Sequence, residues 1–169
     1  EGTYPLPEAQ LDRFMFNVVI DYLDEDDEIS VVTRTTSAGG GKIEALFTAE
    51  ELMACHEIVR RVPVAEDVVR YAVRLAAASR PGREGASEFI NDYVNWGAGL
   101  RAAQFLVLGG KTRALLDGRT HVNNDDIKAL APPVLRHRVL PNYRAEAEGI
   151  GVPEVIDHLV QSVASSLGK

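Results

Sequence analysis

The sequence predicts a mainly α-helical fold: a helical bundle with a single β-strand attached near its N-terminal end. Apolar residues recur at helical spacing through most of the chain after residue 47. Only one segment, residues 15–20 (MFNVVI), has the short, β-branched and aromatic composition that is typical of a strand. With 169 residues, of which 46% are hydrophobic, the chain is long enough to bury one ordinary core.

Composition excludes several classes of function. The formal charge is −7, from 18 Lys and Arg against 25 Asp and Glu. This disfavours a nucleic-acid-binding surface, including a winged or helix-turn-helix domain, because phosphate contacts need clustered Lys and Arg. A single cysteine, Cys55, excludes an internal disulfide and favours a reducing compartment, normally the cytoplasm. No apolar run approaches the roughly 18 residues of a membrane span, so no membrane partner is expected.

The strand is followed by an acidic run between residues 21 and 28. Because carboxylates are favourable at the positive end of the helix dipole, this run predicts the start of a helix over residues 24–35. A calcium loop is the weaker interpretation, since the mid-loop Gly and closing Glu of an EF-hand are absent. The glycine-rich stretch that follows predicts a flexible linker over residues 37–47.

The remaining elements are all predicted to be helical. Thr48 and Glu51 have the spacing of a capping box, and the helix that they begin carries Leu52, Cys55, His56 and Val59 on one face, with His56 expected at the edge of the core. Further helices are predicted over residues 65–79, 97–118 and 125–130, the last capped by Asn123 or Asn124 and closed by Pro132 and Pro133. Pro153 predicts the start of a final helix.

A lone strand leaves its backbone N–H and C=O groups without partners. Either residues 15–20 pair with another copy, or their sheet lies in sequence outside this chain. The chain starts at Glu1, with neither an initiator Met nor a signal peptide. Together these features favour the missing sheet and predict that the chain is a piece of a longer protein.

Two familiar catalytic patterns are disfavoured. Gly110, Lys111 and Thr112 look like the end of a phosphate-binding loop, but that loop needs a glycine where this chain has Phe105, so close helix packing is predicted for Gly109 and Gly110. The four histidines lack the spacing of a zinc site, and one cysteine cannot build a thiolate site, so no metal site is predicted. His137 lies between two arginines, and this pattern predicts a basic helix face or a partner contact.

Two arginines occupy informative positions. Arg13 directly precedes the strand, with Asp12 beside it. Arg101 lies in the first turn of the long helix, close to Gly97 and Gly99, where its charge is unfavourable with the helix dipole. Such a position is explained either by an anionic partner or by a plain surface salt bridge, and the spacing does not separate the two.

Three blocks of sequence resemble the MoxR-type AAA+ ATPases. They are residues 2–14 (GTYPLPEAQLDRF), residues 93–102 (YVNWGAGLRA) and residues 116–138, which include LDGR and DDIKALAPPVLRHR. The blocks keep the family's order and extend from residue 2 to about residue 149. The resemblance implies an AAA+ helical lid with one remnant strand of the α/β core. It divides the chain into the edge of the core (1–36), the linker (37–47) and the lid (48–169).

The resemblance also implies roles for individual residues. Arg13 would be the arginine finger, which acts in trans on the nucleotide of a neighbouring subunit, with Glu8 and Asp12 in support. Arg101 would be the sensor 2 residue, with Gly97 and Gly99 beside it, and whether it acts in cis or in trans stays open. Leu100 departs from the proline that is common in the family, which predicts a less rigid helix start.

The full-length protein, by this resemblance, would use ATP and magnesium to remodel or assemble a client protein, as a homo-oligomeric, hexameric ring. A protein with a von Willebrand factor A domain is a possible partner. The phosphate-binding loop and the magnesium-binding strand are not in this sequence. The chain alone is therefore expected to bind neither ATP nor magnesium and to lack ATPase activity. The alternative is a non-enzymatic adaptor or regulator, in which Arg101 is an ordinary surface residue and residues 1–20 are disordered.

Overall fold

The computed structural model describes residue 4, residues 6–37 and residues 44–167. In this part the chain is mainly helical with one small two-stranded sheet, which confirms the predicted fold class. Most of the predicted linker, with its glycines at 39–41, lies outside the described residues. The elements in chain order are α1 (Glu8–Leu11), α2 (Glu25–Thr36), α3 (Ala49–Arg61), α4 (Glu66–Ala78), α5 (Glu88–Tyr93), β1 (Val94–Trp96), α6 (Leu100–Leu116), α7 (Asn124–Leu135), β2 (Leu140–Pro141), α8 (Tyr143–Glu148) and α9 (Val152–Leu167).

The core forms around α6, which packs against α4 and α7, while α9 crosses α4 and α7. Its largest apolar side chains are completely shielded from solvent, among them Leu75, Leu106, Ile127 and Leu159. Full burial of a side chain of this size stabilises a fold by about 1.5–3 kcal/mol. These four helices therefore form the rigid body on which the other elements are placed. No helix of the described residues is both long and apolar enough to cross a membrane.

Two predicted helix starts are confirmed by their caps. The Asp24 carboxylate accepts a hydrogen bond from the Asp27 N–H at 3.0 Å, which begins α2. At the start of α3, the Thr48 hydroxyl accepts from the Glu51 N–H at 3.2 Å and the Glu51 carboxylate accepts from the Thr48 N–H at 2.7 Å. Such caps satisfy N–H groups that have no partner within the helix.

The face predicted for α3 is not a core face. None of its residues is buried, and His56 is exposed, so the prediction that His56 lies at the edge of the core is wrong. The helix packs on the outside of α6, and its own residues stay largely exposed to solvent.

The helix α7 begins at its predicted cap but continues beyond its predicted end. Asn123 and Asp126 form a reciprocal capping box. The prediction that Pro132 and Pro133 close the helix is wrong, since both lie inside it. Proline fixes φ near the helical value, so it fits the helix at the cost of a missing donor. Complete burial of Val134 and Leu135 holds this last turn in place.

The strand predicted over residues 15–20 is not formed. This segment is extended and crosses the end of α7, where the Asn17 N–H donates to the Pro133 carbonyl at 2.9 Å. The side chains of Val18, Val19 and Ile20 are largely exposed. No strand among the described residues lies beside them to complete a ladder, so a strand-like composition leaves only an extended segment.

The small sheet lies elsewhere in the chain. β1 pairs with β2 in antiparallel fashion, with Val94 opposite Pro141 and Trp96 opposite Leu140. It joins two segments that are far apart in sequence. As a result, the residues just before α6 lie beside the residues that follow α7.

The two adjacent glycines of α6 pack closely against α7 and the residues just before it, as predicted. A Cβ at Gly109 would lie 2.9 Å from Leu130 Cδ1, and one at Gly110 would lie 2.9 Å from Val122 Cγ1. Both glycines are buried in the middle of a helix. They therefore serve helix packing and cannot curl around a phosphate group.

Candidate functional site

The carboxylate of Asp12 joins segments that are distant in sequence. Arg101, the second residue of α6, donates from Nη1 to Asp12 Oδ2 at 2.6 Å. Arg138, which follows α7, donates from Nε to Asp12 Oδ1 at 3.0 Å. The structure thus brings together two predicted site residues, Asp12 and Arg101, and adds a third, Arg138, whose role the sequence does not predict.

Arg138 is a buried cation that binds mainly backbone. Its side chain is only 1% exposed. It donates to the carbonyl oxygens of Asp12 and Phe14 at 2.5 and 2.6 Å, and its guanidinium lies 5.1 Å from the centre of the Phe105 ring. Burial lowers the pKa of Arg138, and the hydrogen bond to Asp12 opposes that change. The position continues the helical spacing of buried residues along α7 (Ile127, Ala131, Val134), and that spacing is the one sequence signal of its burial.

His137 binds the same backbone. Its Nε2 lies 3.0 Å from the Phe14 carbonyl oxygen, which can only accept, so this nitrogen carries the proton. The side chain is buried, and within the described residues its Nδ1 has no hydrogen-bond partner. Burial lowers the pKa of His137; the Phe14 carbonyl opposes that shift, and the charge on Arg138 reinforces it. The predicted basic helix face is therefore wrong, because His137 and Arg138 face the interior of this chain.

Arg13 lies between the two residues whose carbonyls Arg138 binds. Its side chain is exposed, and its guanidinium lies 5.7 Å from the centre of the neighbouring Phe14 ring. In the described part of the chain it forms no ion pair. The backbone around Arg13 is thus held by Arg138, while the Arg13 guanidinium is exposed and has no ion-pair partner among the described residues.

Arg101 has the predicted first-turn position, two residues after Gly99 at the N-cap of α6. Its side chain is 46% exposed and that of Asp12 is 34% exposed. A pair this open to solvent contributes about 0–1 kcal/mol to stability. Asp12 offsets the unfavourable dipole, and a stronger anion could compete with it for the guanidinium.

The two glycines before α6 differ in what surrounds them. A Cβ at Gly97 would lie 2.2 Å from the backbone oxygen of Ser79, whereas nothing lies within 4 Å of one at Gly99. The next residue, Ala98, donates from its N–H to the Ser79 hydroxyl at 2.8 Å and accepts from Arg80 Nε at 2.7 Å. This segment is clamped to the end of α4, so Gly97 is required for a close backbone approach.

The predicted site residues, apart from Arg13 and Arg101, line one cleft of about 360 Å³. The cleft lies between α1, the start of α6 and the residues after α7. Its lining comprises Glu8, Ala9, Asp12, Trp96, Gly97, Gly99, His137, Arg138 and Leu140. Glu8 thus lies at the site, in the first turn of α1.

Comparisons with known proteins find AAA lid domains and MoxR proteins. An AAA lid domain model matches residues 86–159. Chaperone MoxR1 of Mycobacterium tuberculosis is 32% identical over 164 residues, which is 97% of this chain and 43% of that protein. Protein MoxR of Methylorubrum extorquens is 29% identical, covering 96% of this chain and 51% of that protein. The chain is similar to MoxR-type AAA+ proteins over nearly its whole length, and these matches are consistent with the C-terminal part of such a protein.

A solved structure supports the same assignment. The crystal structure of a "putative ATPase" from Cytophaga hutchinsonii superposes with a TM-score of 0.89 at 34% identity, over 96% of this chain and 49% of that one. The chain spans about half the length of the relatives that it matches. The residues matched to the AAA lid include Arg101, His137 and Arg138, and leave Asp12 and Arg13 outside.

The first testable prediction concerns protonation of His137 and its effect on the stability of the chain. Because burial lowers its pKa below the ordinary 6.5, the unfolded chain binds a proton more readily than the folded one. Its contribution to stability is therefore complete above pH 6.5 and is lost as pH falls through the lowered pKa. We expect the free energy of unfolding, measured by urea denaturation, to fall between pH 7 and pH 5. His137→Gln should flatten that slope, because its amide donates to Phe14 without titrating.

The control is His56→Gln, because His56 is exposed on α3. This variant should keep the pH slope of the unaltered chain. An unchanged slope in His137→Gln would contradict the assignment of the titration to His137.

Proposed function

We propose that this chain is the arginine-finger and lid part of a MoxR-like AAA+ ATPase that couples ATP hydrolysis to chaperone-like remodelling or assembly of a client protein. The supporting observation is the carboxylate of Asp12, which pairs with Arg101 at 2.6 Å and directly precedes Arg13. One short segment thereby connects the proposed finger to the proposed sensor of the same subunit.

Arg13 is proposed to act on the nucleotide of the neighbouring subunit. A guanidinium stays charged and forks onto phosphate oxygens, so it can stabilise charge that spreads over the transferred phosphoryl group. The free side chain and fixed backbone of Arg13 suit that task, because little order has to be gained when the finger engages.

Arg101 is proposed to respond to the nucleotide. Its charge is balanced by Asp12. A γ-phosphate carries more negative charge than one carboxylate, so it would compete for the half-exposed guanidinium. Exchange of Asp12 for phosphate would then change how α6, and with it the lid, sits against the finger segment.

ATP and magnesium would be held by the remainder of the full-length protein, since the only candidate glycine motif among the described residues is buried within α6. We extend the proposal to a hexameric ring with a von Willebrand factor A domain partner, both of which the family resemblance implies. The single cysteine favours a cytoplasmic location for it. The chain alone is proposed to lack ATPase activity.

The test compares the full-length protein with the 169-residue chain in a phosphate-release assay with ATP and magnesium. We expect turnover by the full-length protein and none by the chain. Arg101→Ala in the full-length protein should lower kcat by about 10²-fold, the usual loss when one donor to transition-state charge is removed.

Arg83→Ala is the matched control, because Arg83 is an exposed arginine in the loop between α4 and α5. It should leave turnover unchanged. A full-length protein without ATPase activity would favour the non-enzymatic adaptor instead, whereas normal turnover in Arg101→Ala would contradict the sensor 2 role of Arg101.

A further inference from the structure

We propose that Arg138 is a positioning residue for the arginine finger: its buried guanidinium fixes the backbone on both sides of Arg13 and ties it to the lid of the same subunit. This inference rests on the proposed function, since it assigns a task to Arg138 only if Arg13 acts on a nucleotide.

The hydrogen bonds of Arg138 surround Arg13 in sequence. Its Nη2 donates to the carbonyl of Asp12 at 2.5 Å and to that of Phe14 at 2.6 Å, the residues directly before and after the finger. Its Nε donates to the Asp12 carboxylate at 3.0 Å. Three bonds from one planar group define the path of residues 12–14, and thereby the direction in which the Arg13 side chain leaves the surface.

The guanidinium is itself anchored in the lid. Its Nη1 donates to the Val134 carbonyl of α7 at 2.5 Å, and its plane lies over Phe105 of α6. Val134 is completely buried. The backbone of residues 12–14 is therefore attached to α6 and α7. A movement of the lid in one subunit would shift the finger that reaches into the next subunit.

The chemistry of this position requires arginine. Burying a charge is costly unless its donors are satisfied, and here the donors of the guanidinium meet carbonyl and carboxylate oxygens on both segments. Lysine keeps the charge but has a compact ammonium without the planar fork. A lysine ammonium can bind one carbonyl well. It cannot bind the carbonyls of Asp12 and Phe14 and the Asp12 carboxylate at the same time as the guanidinium does.

The experiment measures ATP turnover by the full-length protein with Arg138→Lys. We expect kcat to fall about 10–100-fold, because small errors in placing a catalytic group have effects of this size. The KM for ATP should stay within about twofold, because Arg138 acts through a finger that stabilises charge developing in the transition state. Arg136→Lys is the matched control, since Arg136 donates from Nε to Pro132 rather than to the finger segment, and its kcat should be unchanged.

A double-mutant cycle separates positioning from general damage to the fold. In an Arg13→Lys background, which keeps the charge and some turnover, Arg138→Lys should lower kcat by less than about twofold, because the two residues act through one another. An equal fall in both backgrounds, or an unchanged kcat in Arg138→Lys alone, would overturn the inference. Normal turnover in Arg13→Ala would instead overturn the proposed function.

A second variant covers the case in which Arg138→Lys does not fold. Asp12→Asn keeps the shape of a side chain that is 34% exposed and weakens the bond to Arg138 Nε. It should lower kcat in the same direction, and again by less than about twofold in the Arg13→Lys background. An unchanged kcat in Asp12→Asn would count against the inference.

Discussion

Replacing Arg13 with alanine in the full-length protein is expected to lower ATP turnover by about 10³-fold or more, the range in which arginine fingers act in related phosphoryl-transfer enzymes. The reason is the position of its side chain: it is exposed, and its backbone is held by Arg138. Removing the guanidinium takes away the cation and leaves the lid intact. The measurement is kcat from steady-state phosphate release.

The same variant should keep its affinity for ATP, because the finger stabilises charge that develops in the transition state rather than in bound ATP. Binding of a fluorescent ATP analogue should therefore give a dissociation constant within about twofold of the unaltered protein. Arg83→Ala again serves as the control for loss of an exposed arginine. Turnover by Arg13→Ala at the level of this control would refute the finger assignment.

Gly97→Ser is expected to give the largest loss of stability. A Cβ at Gly97 would lie 2.2 Å from the Ser79 carbonyl oxygen and 2.7 Å from the Arg80 Cα, and backbone atoms cannot move aside as a flexible side chain can. Overpacking of this kind typically costs about 1–3 kcal/mol, and backbone contacts place the expected loss at the upper end. The measurement is urea unfolding of the chain, followed by circular dichroism.

Gly99→Ser is the matched control, two residues further along. Nothing lies within 4 Å of a Cβ there, and φ is −77° at this N-cap position. Serine is a preferred N-cap residue, so this variant should be neutral or slightly more stable. Equal losses at Gly97 and Gly99 would contradict the close approach of residues 96–98 to the end of α4.

Features that depend on neighbours in sequence were within reach of prediction. The starts of α2, α3 and α7 follow from side chains that cap N–H groups three residues further on, and the structure confirms all three. Gly109 and Gly110 are likewise explained by packing. Local patterns carry this information because each cap or periodic face is formed within one helix.

Features that depend on distant partners were not predictable. The sheet joins Val94–Trp96 to Leu140–Pro141, and neither segment alone has a strand's composition or length. Residues 15–20 have the composition but no neighbouring strand among the described residues. In the same way, Gly97 and Gly99 look equivalent until the backbone of Ser79 is placed beside one of them.

The candidate site shows the same division. Asp12 and Arg101 are singled out by family resemblance, and the structure places them 2.6 Å apart. Arg138 is missed because an arginine that follows Arg136 and His137 suggests an exposed basic face. Its burial depends on carbonyls of residues 12–15, more than 120 positions away in the chain.

Mixing two inactive full-length variants tests most directly the claim that this chain supplies an arginine finger to its neighbour. One subunit carries Arg13→Ala, and the other has an intact Arg13 but lacks the lysine of its proposed phosphate-binding loop. In mixed rings, some interfaces pair an intact loop with an intact finger, so ATP turnover should return well above that of either variant alone. Mixed rings that form but stay inactive would contradict the claim.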